Sequence, residues 1–250
     1  TEFYRASVKI NGENFTLSAS LYNHQTMIRA AFLRKIGYDV EAPEFRDKIR
    51  LNFKDLTAKE NFLNSLTEST LLSKNRWIEN IEDIESDKLY LDLKGIIIEP
   101  ADLKNVALYW PVMQESRQKR RRVFRSMLYL YSLTNFSQQI NNISWSYGKV
   151  FNDELIISHP YFESFRNVTI EDLKWIHNKI AGLNESEIEE IVSLANYPFE
   201  IEQLMIEKIK SRINHIGRLL NLRAPFNVNP KITLLGVQRG KLITKSYPNY

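Results

Sequence analysis

Two helix-start signatures in tandem constrain this chain more than any other feature. Thr169 with Asp172 has the form of a capping box, in which each side chain accepts a backbone N–H of the other residue, and Val168 with Leu173 brackets it as a hydrophobic staple. Asn184 with Glu187, bracketed by Leu183 and Ile188, repeats the arrangement. Apolar residues then recur at helical spacing: Leu173, Ile176 and Ile180 in the first segment, and Ile188, Ile191, Val192 and Ala195 in the second. A third helix is expected from about 198 to 222, with Ile201, Met205, Ile209, Ile213, Ile216 and Leu220 facing inward. Amphipathic helices joined this closely bury their stripes against one another, which predicts a compact helical subdomain.

The N-terminal part reads differently. Residues 4–21 alternate apolar and polar positions about Asn11-Gly12, the signature of a two-residue β-hairpin. A helix follows from about 23 to 35, with Asn23 as N-cap and Gly37 as C′ residue. Residues 48–53 alternate as a strand, residues 57–80 form an amphipathic helix, and residues 89–99 form a strand pair interrupted at Gly95. Residues 231–245 suggest a terminal hairpin around Arg239-Gly240. The expected class is α+β: a small, mostly antiparallel sheet with inserted helices, then a helical lobe and a terminal hairpin. The boundary falls near residue 110, giving lobes 1–110 and 111–250, or one continuous domain.

Between the two parts lies a stretch, 117–142, that carries most of the basic excess. Arg117, Lys119, Arg120, Arg121, Arg122 and Arg125 place six cations within nine residues, in a chain whose net charge is only +4. They lead into a helix with Val123, Met127 and Leu130 along one stripe. Such a run can grip phosphates of nucleic acid or an anionic surface. It can equally pair with carboxylates of residues 79–87 or stay solvated, since four adjacent cations at about 100° per residue cannot share one face.

The layout resembles a protein-kinase-like fold. Residues 23–43 (NHQTMIRAAFLRKIGYDVEAP) resemble the N-terminal helix segment of HipA-like and spore-coat CotH-like kinases, and residues 122–142 resemble their catalytic-loop region. Residues 161–222 are similar to the C-terminal part of certain secreted bacterial proteins with this layout. The resemblance implies that Asn141 or Asn142 stands where the family's Asn binds magnesium on nucleotide phosphates. Asn135 or Phe136 then falls where the family has its Asp, and an amide is not a base. Asp153 is the remaining candidate for a second metal ligand, and no Gly-rich phosphate loop accompanies Gly12. The resemblance therefore implies a pseudokinase-like binding or scaffold domain of a bacterial protein, with a protein partner and no cofactor. An active kinase using Mg-ATP is the alternative.

Other chemistry has thinner support. Asp92-x-Lys94, with Asp83 upstream, has the outline of a PD-(D/E)xK nuclease constellation, but Asp102-Leu103-Lys104 repeats the triplet and strand alternation explains it equally. Cysteine is absent, which removes disulfides, thiolate nucleophiles and Cys-zinc sites, and the four histidines hold no HExxH spacing. A cysteine-free chain fits the cytoplasm or an oxidising cell envelope, and the resemblance to secreted proteins favours the periplasm or envelope. No apolar run reaches transmembrane length.

Overall fold

The computed structural model describes residues 3–20, 23–68, 87–101, 122–134, 148–151, 154–157, 168–197 and 199–229. The fold is α+β, and the described residues group into two compact units. The strand-rich unit holds β1 (Phe3–Ile10), β2 (Glu13–Ser20), β3 (Glu44–Asn52), α2 (Leu56–Glu68) and β4 (Tyr90–Pro100), together with Asn23 and His24, the first residues of α1 (Asn23–Lys35). The helical unit holds the rest of α1, then α3 (Arg122–Thr134), β5 (Gly148–Phe151), β6 (Glu154–Ile157), α4 (Ile170–Ile180), α5 (Glu185–Ser193) and α6 (Phe199–Leu219). The terminal hairpin expected at 231–245 lies outside the described residues, as does the part of the 57–80 helix beyond α2.

In the strand-rich unit the sheet is antiparallel throughout, in the order β1-β2-β4-β3. Asn11 and Gly12 both have positive φ, 52° and 89°, as a two-residue turn matched to the strand twist requires. One face of the sheet carries the unit's core: Leu17, Ala19, Leu51, Leu93, Ile96 and Ile98, with Phe62 of α2 packed against them.

Two expectations in this unit need correction. The strand pair anticipated around Gly95 is one strand, β4, paired with β3 on both sides of that glycine. Gly95 takes φ +61°, a conformation that costs glycine little, and this resets the alternation. Leu93 before it and Ile96 and Ile98 after it consequently face the same core. Asn23, expected as an N-cap acceptor, instead donates through Nδ2 to Ser18 O at 3.0 Å and Gly95 O at 2.7 Å.

In the helical unit the reading of the termini holds. Gly37 (φ +95°) ends α1 in a Schellman arrangement, with Tyr38 N–H donating to Leu33 O and Gly37 N–H to Arg34 O. Both capping boxes form: Thr169 with Asp172, and Asn184 with Glu187. Each apolar stripe named for the three C-terminal helices is buried. The lobe expected to be helical up to its terminal hairpin also contains a short antiparallel ribbon, β5–β6, which four-residue strands signal too weakly for a periodicity reading to find.

Thr169→Ala removes the acceptor for Asp172 N–H and is expected to cost about 1 kcal/mol. A thermal melt followed by circular dichroism should show a fall of roughly 2–4 °C. Glu187→Gln keeps an acceptor at its cap and should leave the melt nearly unchanged.

Candidate functional site

The basic helix is anchored by its first turn. Arg122 opens α3, and its Nε lies 3.4 Å from Oδ1 of Asp172, the carboxylate that also closes the α4 capping box. The same guanidinium stands 5.8 Å from the Trp175 ring, with Lys179 Nζ 5.6 Å from that ring and Tyr38 edge-on to it. Arg122 thus pairs with a carboxylate of α4, while residues 79–86 lie outside the described residues. Its side chain stays 51% exposed beside a carboxylate that is 1% exposed. This contact therefore orients the start of α3 while leaving much of the cation in solvent. Arg125 lies within α3. Arg117, Lys119, Arg120 and Arg121 lie outside the described residues.

The other end of α3 carries the most unusual chemistry among the described residues. The last carbonyls of a helix have no partner within it and hold partial negative charge. Here two buried guanidinium groups meet that end. Arg212, from α6, donates Nη1 to Leu133 O at 2.8 Å, with Ser132 O 3.5 Å away. Arg29, from α1, donates Nη1 to Thr134 Oγ1 at 3.0 Å and Nη2 to Thr26 Oγ1 at 3.1 Å, and stacks 4.4 Å over the Tyr131 ring. Thr134 Oγ1 in turn donates to Leu130 O. Arg29 and Arg212 are both fully buried, so α3 ends on a clamp of two cations.

Lys208 sits one turn before Arg212 on α6 and is also buried. Burial, reinforced by the positive charge of Arg212, pushes the Lys208 ammonium down to about 7. Burial lowers Arg212 itself to about 9. Lys210 takes the opposite course: the Glu207 and Glu185 carboxylates, at 2.8 and 3.3 Å, outweigh its burial and raise it. Glu207 also accepts from Asn229 N–H and Glu185 from Asn227 N–H, which ties the chain after α6 back onto the unit.

A second buried polar set lies on the far side of α3. Tyr129 Oη is 2.8 Å from His177 Nδ1, and His177 Nε2 is 2.7 Å from Arg223 O. A carbonyl can only accept, so the proton resides on Nε2 and Nδ1 accepts from the tyrosine hydroxyl. Burial lowers the pKa of His177, which favours this neutral form.

The residues singled out for nucleotide and metal chemistry, Asn135, Asn141, Asn142 and Asp153, all lie outside the described residues. Among the described residues no cluster of three or more His, Asp or Glu side chains could hold a metal ion. Asp92 is half-buried on β4 and accepts both Nε and Nη2 of Arg50, at 2.8 and 2.9 Å, with Lys48 at 3.5 Å. The Arg50 hydrogen bonds hold its carboxyl at about 2. Asp92 therefore works in a cross-strand ion pair, and strand alternation accounts for it.

Arg29, Lys208 and Arg212 escaped the sequence reading for a definable reason. Lys208 and Arg212 each precede an inward isoleucine, Ile209 and Ile213, by one residue, a step of about 100°. A helix with one buried stripe would leave them in solvent, but α6 is buried around most of its circumference. Comparisons with protein-family models, curated proteins and solved structures gave no match to this chain.

Proposed function

We propose that this chain is a non-catalytic, pseudokinase-like binding or scaffold domain of a bacterial envelope protein, acting within a larger assembly. In this reading the chain binds a protein partner, and Asn135, Asn141 and Asn142, which follow α3 in the sequence, are the residues that would contact it. The observation that supports it is the clamp at the C-terminal end of α3. Binding segments work from rigid supports, and Arg29 and Arg212 hold the C-terminal end of α3, the element that precedes these residues in the sequence. Among the described residues no helix is long and apolar enough to cross a membrane.

The test places a photo-crosslinking amino acid at position 142 and, as a control, at the highly exposed Lys54. Irradiation in cells should give a discrete protein adduct from position 142 alone. Identical adduct patterns from both positions would remove the reading. A rise in melting temperature with millimolar Mg-ATP would shift it to the alternative, an active atypical kinase using Asn141, Asn142 and Asp153.

One observation favours a second reading, an anionic partner at the basic run. Arg122 keeps half its side chain in solvent while anchored at Asp172 and Trp175. DNA or anionic vesicles retained at about 50 mM salt and released by about 200 mM would be the result expected of it.

A further inference from the structure

The sheet of the strand-rich unit has two edges, and only one of them is defended. β3, at one end of the order β1-β2-β4-β3, carries Glu44, Arg46, Asp47, Lys48 and Arg50, all exposed. Charged side chains along an edge discourage pairing with another strand. β1, at the other end, carries only Arg5 and Lys9, and Arg5 is already held by Glu99 at 3.1 Å. It runs in unbroken register with β2 from Phe3 to Ile10, with no proline and no bulge. Among the described residues nothing pairs with its outer side. Ala6, Val8 and Ile10 are only half-buried, although Val8 and Ile10 pack against the core that contains Leu17 and Ala19 of β2. The apolar layer therefore runs out to β1 and stops there partly uncovered.

The hairpin turn sets which backbone groups of β1 point outward. In a two-residue hairpin the pair that closes the turn, here Ile10 and Glu13, exchanges hydrogen bonds, and bonded and non-bonded pairs then alternate. Ile10, Val8, Ala6 and Tyr4 thus direct their N–H and C=O groups to β2. Lys9, Ser7, Arg5 and Phe3 direct theirs away from it. β2 keeps the same phase: Asn14, opposite Lys9, turns its carbonyl away from β1 and accepts from Ala101 N–H beyond the end of β4. The outer side of β1 is a row of backbone donors and acceptors about 20 Å long.

We propose that a second copy of this chain docks on that row, β1 against β1 and antiparallel, so that the four strands of each copy form one continuous sheet about a two-fold axis. Directly opposed residues share a face, so the core faces match only when the axis passes through a residue. Two such registers overlap the strand most. Centring on Ser7 opposes Arg5 to Lys9, a pair of like charges, which is unfavourable. Centring on Ala6 opposes Arg5 to Ser7 and Ala6 to Ala6, and keeps Val8 on the shared apolar face. This register opposes no like charges and allows up to about eight backbone hydrogen bonds. Each chain has one undefended edge, so the pairing closes at two copies and does not grow into a fibre.

Sedimentation equilibrium of the full chain should show its mass rising with concentration from 29.5 kDa towards twice that value. An edge pairing of this length is a small interface, so the midpoint is expected between about 10 μM and 1 mM. Ser7→Pro removes an outward N–H and leaves the bonds to β2, at an edge position that accepts proline. It should weaken the pairing at least about tenfold. Ser7→Glu sets a carboxylate opposite Arg5 of the other copy, twice in the two-fold pair, and should tighten it about threefold at low salt. Ser7 is exposed, so neither change opens the core. A mass that stays at one chain throughout, as when another segment or a different protein takes the edge, would overturn the proposal. So would pairing that Ser7→Pro leaves unchanged, or that Ser7→Glu fails to tighten; weakening by Ser7→Glu is the result of the register centred on Ser7, where two carboxylates would meet.

Discussion

Replacing Gly217 with alanine is expected to destabilise the helical unit by about 3 kcal/mol, well beyond an ordinary helix substitution. A glycine inside a helix is normally a cost of about 1 kcal/mol relative to alanine, so a gain is the naive expectation. The surroundings reverse the sign. A Cβ at position 217 would stand 2.3 Å from Arg223 O and 2.9 and 3.0 Å from His177 Cε1 and Nε2. The nearest of these is a backbone oxygen, so relief requires moving the chain that follows α6. That movement pulls Arg223 O away from His177 Nε2 and disturbs the Tyr129–His177 bond behind it. A thermal melt should show a fall of roughly 6–12 °C. Tyr129→Phe, which takes the donor from His177 Nδ1 without displacing the chain, should cost less, about 1–2 kcal/mol. A stabilised Gly217→Ala would mean that Arg223 and His177 do not approach α6 as described.

The sequence carried this fold wherever the determinant was local. Asn11-Gly12 and Gly37 need positive φ, and the boxes at Thr169 and Asn184 are written within four residues of chain. Gly95 was legible as an interruption, but a break and a kink look alike until the partner strand is known, and β3 supplies that partner. The buried cations were less legible, because their explanation is tertiary. Arg29 and Arg212 are separated by most of the chain and are buried against the end of a third helix. Charge and periodicity alone assign such residues to solvent. The burial of Ser18 Oγ and Asn23 Oδ1 without hydrogen-bond partners depends on how the strands come together, which no short window reveals.

Raising the pH from 7 to about 9.5 is expected to stabilise the helical unit, with about 3 kcal/mol of the gain coming from Lys208. The ordinary lysine value is 10.5, and in the folded chain burial and Arg212 bring Lys208 to about 7. Between those values the unfolded chain binds a proton that the folded chain does not, so stability rises with pH across the window. Arg212, lowered to about 9, adds to the same trend at the upper end. Tyr38 acts oppositely, but only as the pH approaches its ordinary value of 10, because burial raises its folded pKa. His177 and His215, both lowered by burial, lose stability only as the pH falls through 6.5 and below, so they leave the window clear. Urea denaturation at several pH values across it should show a rising midpoint. Lys208→Met keeps the volume and removes the charge, so it should flatten the lower part of the slope, below about pH 8 where Arg212 contributes little, and leave the protein at least as stable at pH 7. Arg212→Met removes the lesser cause of the Lys208 shift and its own contribution, and also unclamps Leu133 O, so it should reduce the slope without abolishing it while lowering stability. A slope that persists below about pH 8 in Lys208→Met would assign the pH dependence to a group other than Lys208.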